Sequence, residues 1–300
     1  MRSNRRLRWA AIPVAITLAV VLAGCTQAEL HGYLPGFLEG EPPVTNNTER
    51  VAGLWVTSWI VLLGVGLLTW GLTLWAIIVY RRRKGQTGLP VQMRYNMPIE
   101  IFYTIVPLIL VLGFFAFTAR DQEIIETQFE NPDVEIQVFA KQWAWDFIYT
   151  DAVDGEDVWS VGIQAQEEEG APAGTIDQEQ LPTLYLPVGA DVKIALESRD
   201  VIHSFWVIDF LYKKDMFPGA TNYMSITPQR EGTYAGKCAE LCGEYHSLML
   251  FNVEVVDQET YDEYVRGLAE EGNVGDYGSE YDRNSNLPGV DAPVREGEGE

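Results

Sequence analysis

The amino-acid sequence predicts an α+β membrane protein: a two-helix transmembrane hairpin followed by an extracytoplasmic antiparallel β-sandwich or barrel. Three observations predict it. Residues 51–80 carry no charged side chain and are rich in Leu, Val, Ile and Trp. A second apolar run occupies 101–119, bounded by Glu100 and Arg120. From Val134 onward, "VEIQVFA", "TLYLPVGADVKIALES", "TYAGKC" and "LMLFNVEVV" are short, β-branched or alternating, and separated by Gly, Pro, Asn and Asp, the pattern of strands in a sandwich or barrel.

The N-terminus reads as a signal peptide over 1–24. Arg2, Arg5, Arg6 and Arg8 form a basic start, and residues 10–21 are mostly apolar. The run ends in "LAGC" at 22–25, which resembles the lipobox of bacterial lipoproteins and makes Cys25 the expected lipidation site. Residues 25–50 are then an extracytoplasmic N-terminal segment.

About 20 apolar residues cross a bilayer, so 51–80 is long enough to span with tilt. The second span is expected over about 98–120, within a hairpin of 51–120. Pro98 and Pro107 are tolerable in a membrane helix. Arg81, Arg82, Arg83 and Lys84 follow the first span directly, and basic loops stay in the cytoplasm. Two crossings therefore leave Asp121 onward outside, in a cell membrane. A buried hairpin in a soluble protein is the alternative, and the unbroken first run opposes it.

Net charge divides along the same line. Residues 1–120 hold 11 Lys+Arg against 5 Asp+Glu, and residues 121–300 hold 10 against 38. An exported part at −28 repels nucleic acid and favours a cationic partner steered in by its field. The exported domain is expected over 121–271, with a solvated loop at 167–180 and a short helix near 257–271. An acidic, Gly-rich, disordered tail fills 272–300.

Cysteine, histidine and methionine are scarce, at 3, 3 and 6 in 300 residues. Yet "GKCAELCGEYHSLM", residues 236–249, concentrates Cys238, Cys242, His246 and Met249, and His203 stands upstream. Thiolate and thioether ligands select copper, which imidazole also suits. A second thiolate allows a second copper sharing both sulfurs. Two other readings stay open. Exported cysteines commonly form disulfides, though a bridge across so short a segment would stabilise little. Zinc takes Cys2His2 but does not seek a thioether.

The segments "HSFWV" at 203–207, "KKDMFPG" at 213–219 and "GKCAELCGEYHSLM" resemble subunit II of cytochrome c oxidase. The hairpin, β-domain and ligand loop follow in that family's order. The resemblance implies a cupredoxin-like domain with a dinuclear CuA centre. It places His203 and His246 on one copper each, Cys238 and Cys242 as bridging thiolates, and Met249 as an axial thioether. Glu240 supplies its backbone carbonyl to the other copper, and its side chain reaches a magnesium ion shared with catalytic subunit I. Trp143, in "QWAWDFIY" at 142–149, becomes the exposed ring where the electron arrives, whereas Trp145 reads as core. Glu100 becomes the guard of a proton channel, since Glu100, Tyr103, Thr104 and Pro107 resemble the family's "ExxWTxxP". The resemblance also implies that Lys213 and Asp215 pair with groups near the haem propionates; a simple surface salt bridge is the alternative. The sequence departs from the family by Tyr at 103, by Ala at 144 and by lacking a proline in "VIDF" at 207–210.

The function so implied is subunit II of a respiratory haem-copper oxidase. It accepts electrons from cytochrome c, or a cytochrome c domain of a cytochrome bc complex, and passes them to haem in subunit I. Oxygen is there reduced to water and protons are pumped. Haem belongs to the partner subunit; the other partners are further oxidase subunits and membrane lipid, not nucleic acid. A copper-free quinol-oxidase subunit, a nitrous oxide reductase domain and a membrane-anchored copper chaperone are the competing readings.

Overall fold

The structure is a computed structural model that describes residues 31–89, 92–275 and 277. Cys25 and the rest of the signal and lipobox lie outside these residues.

Two long helices form one compact unit, residues 53–127. Helix α1 runs Thr48–Val79 and α2 runs Met97–Glu126. At about 1.5 Å per residue each exceeds the ~30 Å hydrocarbon thickness of a bilayer. Their apolar side chains point outward; Leu67, Trp70 and Ile78 are each more than two-thirds exposed. A soluble core helix hides such a surface, so this pair needs an apolar surrounding. Asn96 caps α2 by accepting from the Ile99 N–H, and the Glu100 carboxylate accepts from the Asn96 N–H at 2.7 Å. Both bonds satisfy N–H groups at the helix start. The helix itself runs past residue 120, the expected end of the span, to Glu126. The sequence "DQEIIE" holds good helix formers and no Gly or Pro, so the helix continues to Glu126, where Thr127 turns extended as its C-cap.

The rest of the described chain makes the second unit. Its strands are β1 (Val134–Lys141), β2 (Ala144–Val153), β3 (Glu156–Val161), β4 (Thr183–Pro187), β5 (Val192–Ser198), β6 (His203–Val207), β7 (Tyr212–Met216), β8 (Asn222–Ile226), β9 (Gly232–Cys238) and β10 (Leu250–Val256). They form two five-stranded sheets, in orders β3-β2-β1-β5-β8 and β4-β10-β9-β6-β7. Alternation along β5 and β10 puts Val192, Ile194, Leu196, Phe251, Val253 and Val255 inside. Most neighbours are antiparallel, but β1 pairs β5 in parallel and β4 pairs β10 in parallel. The chain leaves the first sheet after β3, adds β4 to the second, and returns to β5; such a crossover sets same-direction strands side by side. Helix α3 (Gln258–Glu270) follows β10, with Asp257 accepting from the Thr260 N–H at 2.8 Å as its N-cap.

Two expected boundaries shift. The segment before α1 is not separate from the β-domain. Gln229 N–H donates to the Val44 carbonyl, Asn46 N–H to that of Thr227, and Asn47 Nδ2 to that of Ser225. Nor does the tail lose structure at Gly272. Val274 bridges Val158, and Tyr277 packs on Phe139 and Trp159, closing the outer face of β2. Two large aromatic surfaces, Phe139 on β1 and Trp159 on β3, would otherwise lie more open to water. In the 167–180 loop, Glu168 N–H bonds the Thr175 carbonyl, and a single 3-10 turn spans Gln178–Gln180.

Candidate metal centre

The metal-like side chains converge where three adjacent strands end. His203 opens β6, Cys238 closes β9, and Met249 immediately precedes β10. Phe205 pairs with Cys238, and the Cys238 N–H donates to the Met249 carbonyl at 3.0 Å. The β9–β10 loop folds back through short turns, His246 N–H to Gly243 carbonyl and Met249 N–H to His246 carbonyl. This brings Cys242 and His246 over the strand ends.

The resulting distances are short. Cys238 Sγ and Cys242 Sγ lie 3.8 Å apart, and neither is in a disulfide. His203 Nδ1 is 3.8 Å from Cys238 Sγ, while His246 Nδ1 is 3.4 Å from Cys242 Sγ. Met249 Sδ stands 3.8 Å from Cys242 Sγ, and the Glu240 carbonyl oxygen 3.2 Å from Cys238 Sγ. The ligating atoms of His203, Cys238 and Cys242 all fall within 4.8 Å of one another. His203, both cysteines and Met249 are buried; His246 is half-buried.

Electrostatics suit a cation. Hydrogen bonding from Cys242 pushes the Cys238 thiol well down, against the opposing effect of burial; the donating Cys242 is pushed up. One thiolate therefore stands ready in a water-poor pocket. Burial would raise the Asp200 carboxyl, but hydrogen bonds from His203 and the Gln142 and Val201 N–H groups outweigh it and hold it below its ordinary value. Burial would lower His203, and Asp200 outweighs this to raise it.

The residues fit a thiolate-bound metal. A metal that bonds thiolate sulfur at about 2.3 Å could reach both sulfurs at once, because their 3.8 Å separation is less than twice that. The separate, unbonded sulfurs oppose the disulfide reading. Imidazole nitrogens on either side and a thioether favour copper over zinc.

A family model described as "Cytochrome C oxidase subunit II, periplasmic domain" matches residues 134–256. A probable cytochrome c oxidase subunit 2 of Streptomyces avermitilis is 44% identical over 298 residues, covering 91% of this chain and 92% of that one. This chain belongs to the cytochrome c oxidase subunit 2 family. A second family member, from Corynebacterium glutamicum, is 31% identical over 291 residues, covering 82% and 80%. Among solved structures, the periplasmic domain of subunit II of cytochrome oxidase from Bradyrhizobium japonicum is 24% identical, with a TM-score of 0.39, covering 47% of this chain and 96% of that one.

As a subunit 2 family member, the chain has a cupredoxin-like β-sandwich and a candidate copper site. Trp143 is half-buried rather than fully exposed. Its indole N–H donates to the Cys242 carbonyl at 3.2 Å, and its ring meets Tyr245 edge-on at 4.8 Å. Gly243, at φ +128°, clears this contact: a Cβ there would sit 3.0 Å from the indole. Trp145 is core, packed on Phe205 and Phe251, and its N–H reaches the Met249 carbonyl at 3.3 Å. The Glu240 side chain is exposed. Glu100 belongs to the helical unit and takes no part in the cluster. Lys213 lies on β7 as the cross-strand partner of Trp206, and Asp215 as that of Ser204.

Sequence reasoning missed Asp200 and Gln142. Asp200 accepts from His203 Nε2 at 2.8 Å, and Gln142 Nε2 donates to the Cys242 carbonyl at 2.6 Å. The available signals were an Asp three residues before a ligand His and a Gln preceding Trp143.

Proposed function

We propose that this chain is the electron-accepting subunit of a haem-copper oxidase. It takes single electrons from cytochrome c, or from a cytochrome c domain, at a two-copper CuA centre and delivers them to haem in catalytic subunit I. There they reduce oxygen to water with proton pumping. The observation that carries this reading is the pair of buried, unbonded sulfurs 3.8 Å apart, with one imidazole beside each.

Cys238 and Cys242 would bridge, His203 and His246 would each hold one copper, and Met249 and the Glu240 carbonyl would complete the set. Bound there, the two coppers supply a one-electron acceptor and donor. The protein supplies rigidity and dryness. Trp145, Phe205 and Phe251 pack together behind His203 and Met249, the Phe205 and Phe251 rings stacked at 4.8 Å. Ligands so fixed move little when charge changes, which suits fast transfer. Trp143 would receive the electron, its indole N–H one hydrogen bond from a ligand residue's carbonyl. The −28 balance of residues 121–300 suits a donor with a basic face.

Several finer assignments belong to the same proposal. Cys25 would carry lipid, and both spans would cross the cell membrane with the Arg81–Lys84 loop inside. Support comes from the residues just before α1, which bond to β8 and its flank in the domain that follows α2. The exposed Glu240 side chain would meet magnesium at the boundary with subunit I. Glu100 would guard proton uptake; its carboxylate already holds the first turn of α2.

Metal analysis with electron paramagnetic resonance on the full chain in detergent tests the reading. Two coppers per chain and a seven-line signal are expected. One copper with a four-line signal overturns it.

A further inference from the structure

Hydrogen bonds around the cluster converge on Asp200, which the expected ligand set does not contain. Asp200 Oδ1 faces His203 Nε2 at 2.8 Å and accepts from the Val201 N–H at 2.6 Å. Its Oδ2 accepts from the Gln142 N–H at 2.7 Å. Gln142 in turn sends its side-chain Nε2 to the Cys242 carbonyl at 2.6 Å, where the Trp143 indole also donates at 3.2 Å. One residue therefore touches the His203 end of the cluster through its backbone and the Cys242 end through its side chain.

We propose that Asp200 and Gln142 are positioning residues of the metal centre, forming a brace that ties His203 to Cys242 and to Trp143. The proposal rests on the metal-centre reading above. Its logic lies in the direction of each bond. A carboxylate only accepts, so His203 Nε2 must carry the ring proton. The lone pair then stands on Nδ1, the nitrogen 3.8 Å from Cys238 Sγ. Outer partners of this kind fix the tautomer and orientation of a ligating imidazole. On the far side, the Cys242 carbonyl accepts from both Gln142 and Trp143. Any displacement of Gln142 is therefore felt at a bridging cysteine and at the indole together.

Every group facing Asp200 in these bonds is a donor, and that makes a sharp test. Asparagine has nearly the same shape but offers an NH2 on one side. Turned toward His203, that NH2 forces Nε2 to accept and moves the proton to Nδ1. Turned toward Gln142, it sets two N–H groups against each other and displaces the residue whose side chain bonds the Cys242 carbonyl. A residue that only filled space would tolerate the exchange.

The experiment uses the full chain in detergent, titrated with copper against a competing chelator. Wild type, Asp200→Asn, Asp200→Ala and Gln142→Leu are compared. Nitrogen-15 NMR of the metal-free protein reports the His203 tautomer and the Trp143 indole N–H. Asp200→Asn is expected to weaken copper binding about 10- to 100-fold, at least as much as Asp200→Ala. It should also shift either the imidazole or the indole resonance. Gln142→Leu should move the indole resonance and weaken copper binding by a smaller factor. Wild-type affinity and unchanged resonances in Asp200→Asn overturn the proposal. Should that variant not fold, judged by far-ultraviolet circular dichroism, wild-type affinity and an unmoved indole in Gln142→Leu overturn it instead. Absence of copper binding by the wild type itself strikes the metal-centre reading, and this proposal falls with it.

Discussion

Lys141 and Asp146 frame the turn that carries Gln142 and Trp143, and both side chains are fully buried, 2.8 Å apart. Asp146 also accepts from the Gly162 N–H at 3.1 Å. Even so, burial outweighs these partners and keeps its carboxyl above the ordinary range. Lys141→Met removes the counter-charge and keeps the bulk. Breaking a buried pair in this way costs about 3–5 kcal/mol, because an unpaired carboxylate then sits in the interior. The sign of the pH dependence follows. A raised folded pKa means that the folded state holds the proton more tightly than the unfolded one, and losing Lys141 raises it further. The deficit should therefore be largest near neutral pH and shrink as pH falls through the raised value and Asp146 takes up a proton. Denaturation of the full chain in detergent, followed by near-ultraviolet circular dichroism of the β-domain aromatics, measures it. Lys141→Met/Asp146→Asn removes both charges while keeping an oxygen for Gly162, so it should recover most of the loss. A single-variant deficit under about 1 kcal/mol, the range of an exposed pair, or one that does not change with pH, refutes the reasoning.

Cys242→Ser should abolish the seven-line signal while near-ultraviolet dichroism shows a folded β-domain; loss of the fold as well would return the cysteines to a structural role. Met249→Leu should keep both coppers and raise the reduction potential, since the axial ligand tunes it and a lost thioether withdraws electron density from the oxidised site. An unchanged potential in redox titration counts against Met249 as a ligand. Trp143→Phe deletes the N–H that reaches Cys242. It should slow reduction by cytochrome c while leaving copper content and reduction by a small diffusible reductant unchanged. Equal rates with cytochrome c would remove Trp143 from the path.

How much was legible in the sequence depended on how rare the signal was. The apolar spans stood out because charge is absent over 51–80. The ligand loop stood out because sulfur and imidazole are scarce elsewhere. The last helix was expected near 257–271, and the structure adds Asp257 as its cap. Asp200 was overlooked for the opposite reason: it is one of 43 acidic residues, and its place three residues before His203 gains meaning only once the fold sets its carboxylate against that ring. The parallel pairs β1/β5 and β4/β10 join strands distant in the chain, where local alternation says nothing about neighbours. The strap at residues 44–47 and the seat of Tyr277 likewise depend on surfaces that exist only after the sandwich forms. No local pattern marks Lys141 and Asp146, charged residues on strands, as the completely buried pair they form in the fold.

The central claim is that electrons pass into the oxidase through this chain's sulfur pair. Rapid mixing of reduced cytochrome c with the intact oxidase, monitored in the near-infrared copper band and the haem bands, tests it most directly. The copper band should bleach before haem is reduced, and Cys242→Ser should eliminate both the band and fast haem reduction. Haem reduced at the wild-type rate in that variant would contradict the account.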